Sequence, residues 1–180
     1  MQEAMTKFQG TPEEIRFTVA NADLALQRGE TDTALNILMT IGSEQPYFIQ
    51  AKEKMAQIYL NYRKDKKMYA MCYRQIVEKS PNPQSYVLLG DAYMAIQEPE
   101  RALEIYEEAR KRNPRDTQLA AKMGQALQKT HQYGKAINYY REAVKNEDHS
   151  SLRFDLAELL VSCYTGYLIA RSELGSVSKI

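Results

Sequence analysis

Residues 86–114 read YVLLGDAYMAIQEPERALEIYEEARKRNP, and the spacing inside this stretch decides the fold. Leu89, Gly90 and Tyr93 fall on one face of a first helix, and Ala102, Tyr106 and Ala109 on one face of a second. Separations of three and four are those of a helical stripe. Glu98, Pro99 and Glu100 open the second helix, and Lys111 and Arg112 close it. Acid at the start and base at the end complement the helix dipole. Pro114 follows, and proline ends a helix because it lacks the N–H and its ring clashes with the preceding turn. Gly90 and Ala102 let paired helices approach closely, and Tyr86, Tyr93 and Tyr106 fill the gap around them.

The same beat recurs in Met123, Gly124, Leu127, Ala136, Tyr140 and Ala143. Phased on the small residue of the second helix, it runs Ala34, Tyr69, Ala102, Ala136, in steps of 35, 33 and 34 residues. Pro46, Pro81 and Pro114 follow at one phase, with Asp148 in the fourth place. A helix–turn–helix beat of about 34 residues is the tetratricopeptide repeat pattern. The expected fold is all-α, a right-handed solenoid of stacked antiparallel helix pairs. The expected divisions are an N-terminal segment 1–14, repeats 15–47, 48–82, 83–116 and 117–150, a capping or half-repeat helix 151–163, and an irregular tail 164–180.

Local chemistry fills in the elements. Thr11, Pro12 and Glu14 suit a helix start, and Thr31 or Asp32 a second cap. Gly29 makes the first inter-helix turn. The second repeat departs from the pattern: Tyr69 occupies the small position, and the turn Arg63–Lys67 carries one extra residue. This repeat is expected to be the least regular, with its helices pushed apart locally. Glu107 with Lys111 and Glu108 with Arg112 are spaced as i,i+4 pairs, each contributing about 0.3–0.5 kcal/mol. Leu152, Leu156, Leu159 and Leu160 form a last amphipathic stripe, and Gly166, Gly175 and nearby serines suggest a frayed end.

The composition points away from several functions. The 180 residues carry 24 basic and 23 acidic side chains, without the basic excess of a nucleic-acid-binding domain. No apolar run approaches the ~18 residues of a membrane span. Residues 1–10 have no apolar stretch of a signal peptide. Cys72 and Cys163 are too few for a disulfide framework and fall at core-facing positions, which suits a reduced, cytoplasmic chain. His131 and His149 have no second histidine at ligand spacing. Gly134-Lys135 lacks the rest of a phosphate loop. No catalytic constellation, cofactor or metal is expected.

A repeat solenoid presents the first helix of each pair on its concave side. Lys54, Gln57, Gln84, Asp91, Lys122, Gln125 and Lys129 are therefore the candidate partner-binding residues, with Arg16, Asp23, Glu53 and Gln118 beside them. Tyr47, Tyr62 and Tyr167 are the tyrosines least tied to signature positions. The basic run Arg63–Lys67 reads as a solvated turn.

Beyond the generic repeat, NADLALQRGETDTALNILMTI, SYVLLGDAYMAIQEPERALEIYEEARKRNPRDTQLAAKMGQAL and YGKAINYYREAVKNEDHSSLRFDLAELLV resemble the tetratricopeptide-repeat subunit of intraflagellar transport complex A. The resemblance implies a protein-interaction scaffold in retrograde ciliary transport, complex A subunits as partners, and a place at the cilium and its base. It implies a segment of a far longer solenoid, with the divergent tail expected from truncation or alternative splicing. A second reading is a free-standing adaptor that binds a peptide in its concave groove. Chaperone-binding repeat domains hold a carboxylate with a lysine, asparagine and arginine clamp, and here Val19 with Asp23, Gln57, Gln84 and Leu88 stand in those places.

Overall fold

The computed structural model describes residues 12–114, 116–146 and 150–177. Among them the chain forms nine α-helices, one π-helical turn and no strand. The helices are α1 (Pro12–Gln27), α2 (Thr31–Met39), α3 (Phe48–Ile58), α4 (Lys66–Lys79), α5 (Pro83–Ala95), α6 (Pro99–Arg112), α7 (Thr117–Lys129), α8 (Tyr133–Asn146) and α9 (Ser150–Val177). The chain divides into two compact units, residues 1–92 and 93–180.

The inter-helix turns repeat as closely as the small residues do. Gly29, Lys64, Gln97 and His131 all have left-handed backbone, at φ 78°, 55°, 64° and 58°. Their steps are again 35, 33 and 34 residues, each five residues before the small position. In three turns the next N–H reaches back five residues: Glu30 to the Ala25 carbonyl, Glu98 to Tyr93 and Gln132 to Leu127, each at 2.9 Å. These bonds satisfy carbonyls that a helix end otherwise leaves bare. The second helix then starts with an N–H to carbonyl bond from Ala34 to Glu30, Tyr69 to Asp65, Ala102 to Glu98 and Ala136 to Gln132.

The second repeat solves its extra residue differently. Asp65 N–H reaches back six residues, to the Tyr59 carbonyl at 2.9 Å. The added residue is absorbed inside the helix, where Tyr59–Arg63 winds as a π-turn, and not in the turn Arg63–Lys67. One insertion converts i→i+4 bonding to i→i+5 and leaves the turn geometry intact.

In the unit 1–92, α1 packs on α2, α2 on α3 and α3 on α4. Ala22, Leu38, Met55, Ile58 and Ile76 are buried at its centre. Tyr69 is buried too, its ring edge-on to Tyr73 at 5.3 Å between centroids. In the unit 93–180, α6 packs on α7, α7 on α8 and α8 on α9. Tyr106, Met123, Ala136, Tyr140 and Leu152 are buried there. Caps come from Asp65, Asn82 and Asp116, whose carbonyl or carboxylate oxygens accept from the N–H groups of Met68, Ser85 and Leu119 at 3.0, 2.8 and 3.1 Å.

Four expectations need correction or placing. Thr31 is the first residue of α2, and Glu30 holds the cap position without a side-chain bond. Thr11 and His149 lie outside the described residues. Glu107 pairs with Arg110 at 2.7 Å, and Lys111 goes to Glu108 at 2.5 Å, where Arg112 joins it at 3.1 Å. The irregular tail expected over 164–180 is helical as far as Val177. No proline interrupts α9, and Gly166 and Gly175 each weaken a helix by about 1 kcal/mol without removing a backbone bond.

Candidate functional site

The first helices supply the candidate residues, and the structure gives them unequal roles. Lys54 on α3 is half-buried, and its Nζ donates to both carboxylate oxygens of Asp23 on α1, at 2.5 and 2.7 Å. That pair joins two helices and neutralises two candidate charges. Gln57 on α3 and Gln84 on α5 are exposed. Asp91 on α5 is half-buried, and its charge helps raise the Tyr69 phenol, which burial chiefly pushes up. On α7, Lys122 is half-buried and Gln125 and Lys129 are exposed. Their three-and-four spacing puts these three on one helical face.

The basic run is partly spent inside the unit. Arg63 forms an ion pair with Asp32 of α2, Asp65 caps α4, and Lys64 and Lys67 are exposed. Tyr47 and Tyr62 are exposed, Tyr47 with left-handed backbone at φ 70°.

A groove of about 260 Å³ lies between α6, α7 and α8, and the sequence reading did not anticipate it. Leu103, Met123 and Leu127 supply apolar walls, and Glu107, Lys135 and Glu142 supply charge. Tyr139 crosses it, its hydroxyl on the Met123 sulfur at 3.1 Å and the Arg110 guanidinium over its ring at 5.6 Å. Burial raises the Tyr139 phenol, and Arg110 opposes that rise. The groove is smaller than the ~300 Å³ of an ordinary small-molecule site. Only the apolar stripe of α7 hinted at it in sequence, because its walls come from three helices.

Among the described residues, no three His, Cys, Asp or Glu side chains converge to hold a metal, and no helix is long and apolar enough to cross a membrane. His131 sits in a turn with Nδ1 2.9 Å from the Tyr133 hydroxyl.

Family models match in three stretches. Residues 1–76 match the tetratricopeptide repeat protein 21 ARM repeat, 119–164 the fourth ARM domain of that protein, and 83–126 a tetratricopeptide repeat. The chain belongs to the tetratricopeptide repeat superfamily. Within it, the chain resembles one segment of tetratricopeptide repeat protein 21. It is 57% identical to the 21B protein of Mus musculus over 161 residues, 89% of this chain. The 21B protein of Homo sapiens is 55% identical over the same length. The chain spans 12% of the length of these relatives.

Solved structures agree on the tetratricopeptide repeat fold. MamA from Desulfovibrio magneticus superposes with TM-score 0.58 at 18% identity, covering 87% of this chain and 89% of that one. The tetratricopeptide repeat protein TTC0263 of Thermus thermophilus gives 0.53 at 22% identity, covering 82% of each. At such identities the likeness speaks for fold alone. Tetratricopeptide repeats are protein-interaction scaffolds, because stacked helix pairs present extended faces to other chains.

Proposed function

We propose that this chain is a docking segment of intraflagellar transport complex A, acting in retrograde transport and ciliary protein trafficking at the cilium and its base. Its partners are other protein subunits of that complex. The observation that supports this reading is the 55–57% identity to tetratricopeptide repeat protein 21B, sustained over 161 residues. Identity of that order over so long a stretch preserves surface residues as well as core ones, and docking depends on the surface.

The exposed side chains of the first helices carry the contact in this reading: Gln57 and Gln84 in one unit, Gln125 and Lys129 in the other, with Lys54, Asp91 and Lys122 half-buried beside them. Amides and a few charges suit a polar interface rim. Proximity labelling of the tagged 180-residue chain in ciliated cells tests the proposal. Complex A subunits should be enriched, and exchanging Gln57, Gln84, Gln125 and Lys129 for glutamate should abolish that. Enrichment of chaperones with no complex A subunit would overturn it.

A further inference from the structure

Between Leu152 and Tyr164, helix α9 is apolar on two opposite faces. Leu152 and Leu159 are buried beside Ala136 and Tyr140 of α8, with Leu156 and Cys163 half-buried next to them. On the other side Phe154, Val161 and Tyr164 are 69%, 62% and 63% exposed. Single exposed apolar residues need no explanation, but a contiguous stripe does. Phe154, Ala157, Val161 and Tyr164 follow one another at three, four and three residues, the spacing of a coiled-coil seam.

The charges flanking the seam select what covers it. Arg153 and Glu158, both exposed, take the g and e places of that heptad and lie five residues apart. In a parallel two-stranded seam, g of one helix meets e of the other at that offset, and opposite charges there set partner and orientation. An antiparallel seam would instead set Glu158 against its own copy. We propose that a second copy of this chain covers the stripe, α9 beside α9 in parallel, with Arg153 of each copy on Glu158 of the other. The interface is isologous, each contact occurring twice. Leu152 and Leu159 stay on α8, so the rest of each unit lies outside the seam. The described seam is under two heptads long, which puts the dimer in the weak, concentration-dependent class.

Sedimentation equilibrium on the full 180-residue chain reads this directly, with circular dichroism to check helicity in each variant. The mass should rise with concentration from one chain toward two and stop there. Phe154→Glu with Val161→Glu should hold it at one. Arg153→Glu should weaken the dimer about tenfold, and adding Glu158→Arg should restore it. A milder variant covers loss of folding: Ala157→Cys with Cys163→Ser should crosslink to itself on oxidation, because a parallel seam faces like positions. A monomer at all concentrations assigns the stripe to another occupant and overturns the proposal. Growth beyond two chains, an unrestored charge swap or no crosslink in the Ala157→Cys variant would overturn it as well.

Discussion

Gly124 on α7 and the Tyr140 ring on α8 compete for one volume: a Cβ on Gly124 would meet the ring at Cζ, Oη and Cε1, the last at 2.6 Å. The ring is fully buried, its hydroxyl 3.4 Å from both the Gln128 amide nitrogen and the Ala121 carbonyl oxygen. A rigid ring held on all sides cannot step away from an added methyl. Gly124→Ala should therefore cost about 1–3 kcal/mol, as overpacking does. Combined with Tyr140→Leu, the loss should fall short of the sum of the two single losses, since each relieves the other. Urea denaturation of the three variants measures this. An unchanged midpoint for Gly124→Ala would show the contact is not a constraint.

The buried phenols make stability depend on alkaline pH. Burial pushes Tyr140 up to about 12, and raises Tyr59, Tyr69, Tyr73 and Tyr139 as well. An unfolded phenol ionises near ~10. Between that value and about 12 the unfolded chain holds fewer protons than the folded one, so stability falls as pH rises. It is fully present below the unfolded value. The thermal midpoint should begin to fall above pH ~8.5, where the unfolded Cys72 thiol ionises, and fall faster above ~10 as the phenols join; Tyr140→Phe should make that faster part shallower.

Left-handed turns accept glycine without strain, yet only Gly29 of the four turn residues is one. Lys64→Gly and Gln97→Gly should each raise stability by about 0.5–1 kcal/mol, offset in part by the freer unfolded chain. His131→Gly should gain least, because it loses the bond to Tyr133. Gly29→Ala should lower stability. Chemical denaturation of the four single variants checks the order.

The two thiols should differ in reactivity. Cys72 is buried, and that burial pushes its pKa up to about 11, while Cys163 is partly exposed. The thiolate is the reactive form. A disulfide reagent at neutral pH should label one thiol per native chain promptly and the second only on unfolding. Mass spectrometry should place the first at Cys163.

The Lys54–Asp23 pair is half-exposed, so solvent screens it. A double-mutant cycle with Lys54→Met and Asp23→Asn should give a coupling of no more than about 1 kcal/mol. A larger coupling would mean the pair is better shielded than its exposure indicates.

The repeat was legible because it is written in residue size. Ala102 and Ala136 are fully buried, and so are Tyr106 and Tyr140 one helical turn on. Tyr69 shows how far that reading goes. A ring at the small position marked the second repeat as irregular, and it was the backbone that absorbed the extra residue, as a π-turn ahead of Lys64. A one-residue insertion is visible in a sequence, but the hydrogen bonds that accommodate it are chosen by the packing of α3 and α4.

Side-chain partners were less legible. Arg110 lies over the Tyr139 ring of α8, and from there it reaches Glu107, so Lys111 turns to Glu108. Spacing along one helix cannot reveal a ring on another. Lys54 reads as a candidate partner-binding residue for the same reason, since Asp23 is 31 residues away in the chain.

By itself the sequence determined the helix-pair register, the turns and the superfamily, because size, periodicity and proline placement act over a few neighbouring residues. The tertiary structure alone decided which charges are spent on one another, that α9 runs on to Val177, and that between Leu152 and Tyr164 it has an apolar face on either side. Those outcomes depend on distances in space between residues remote in the chain, and on which faces a neighbouring helix covers.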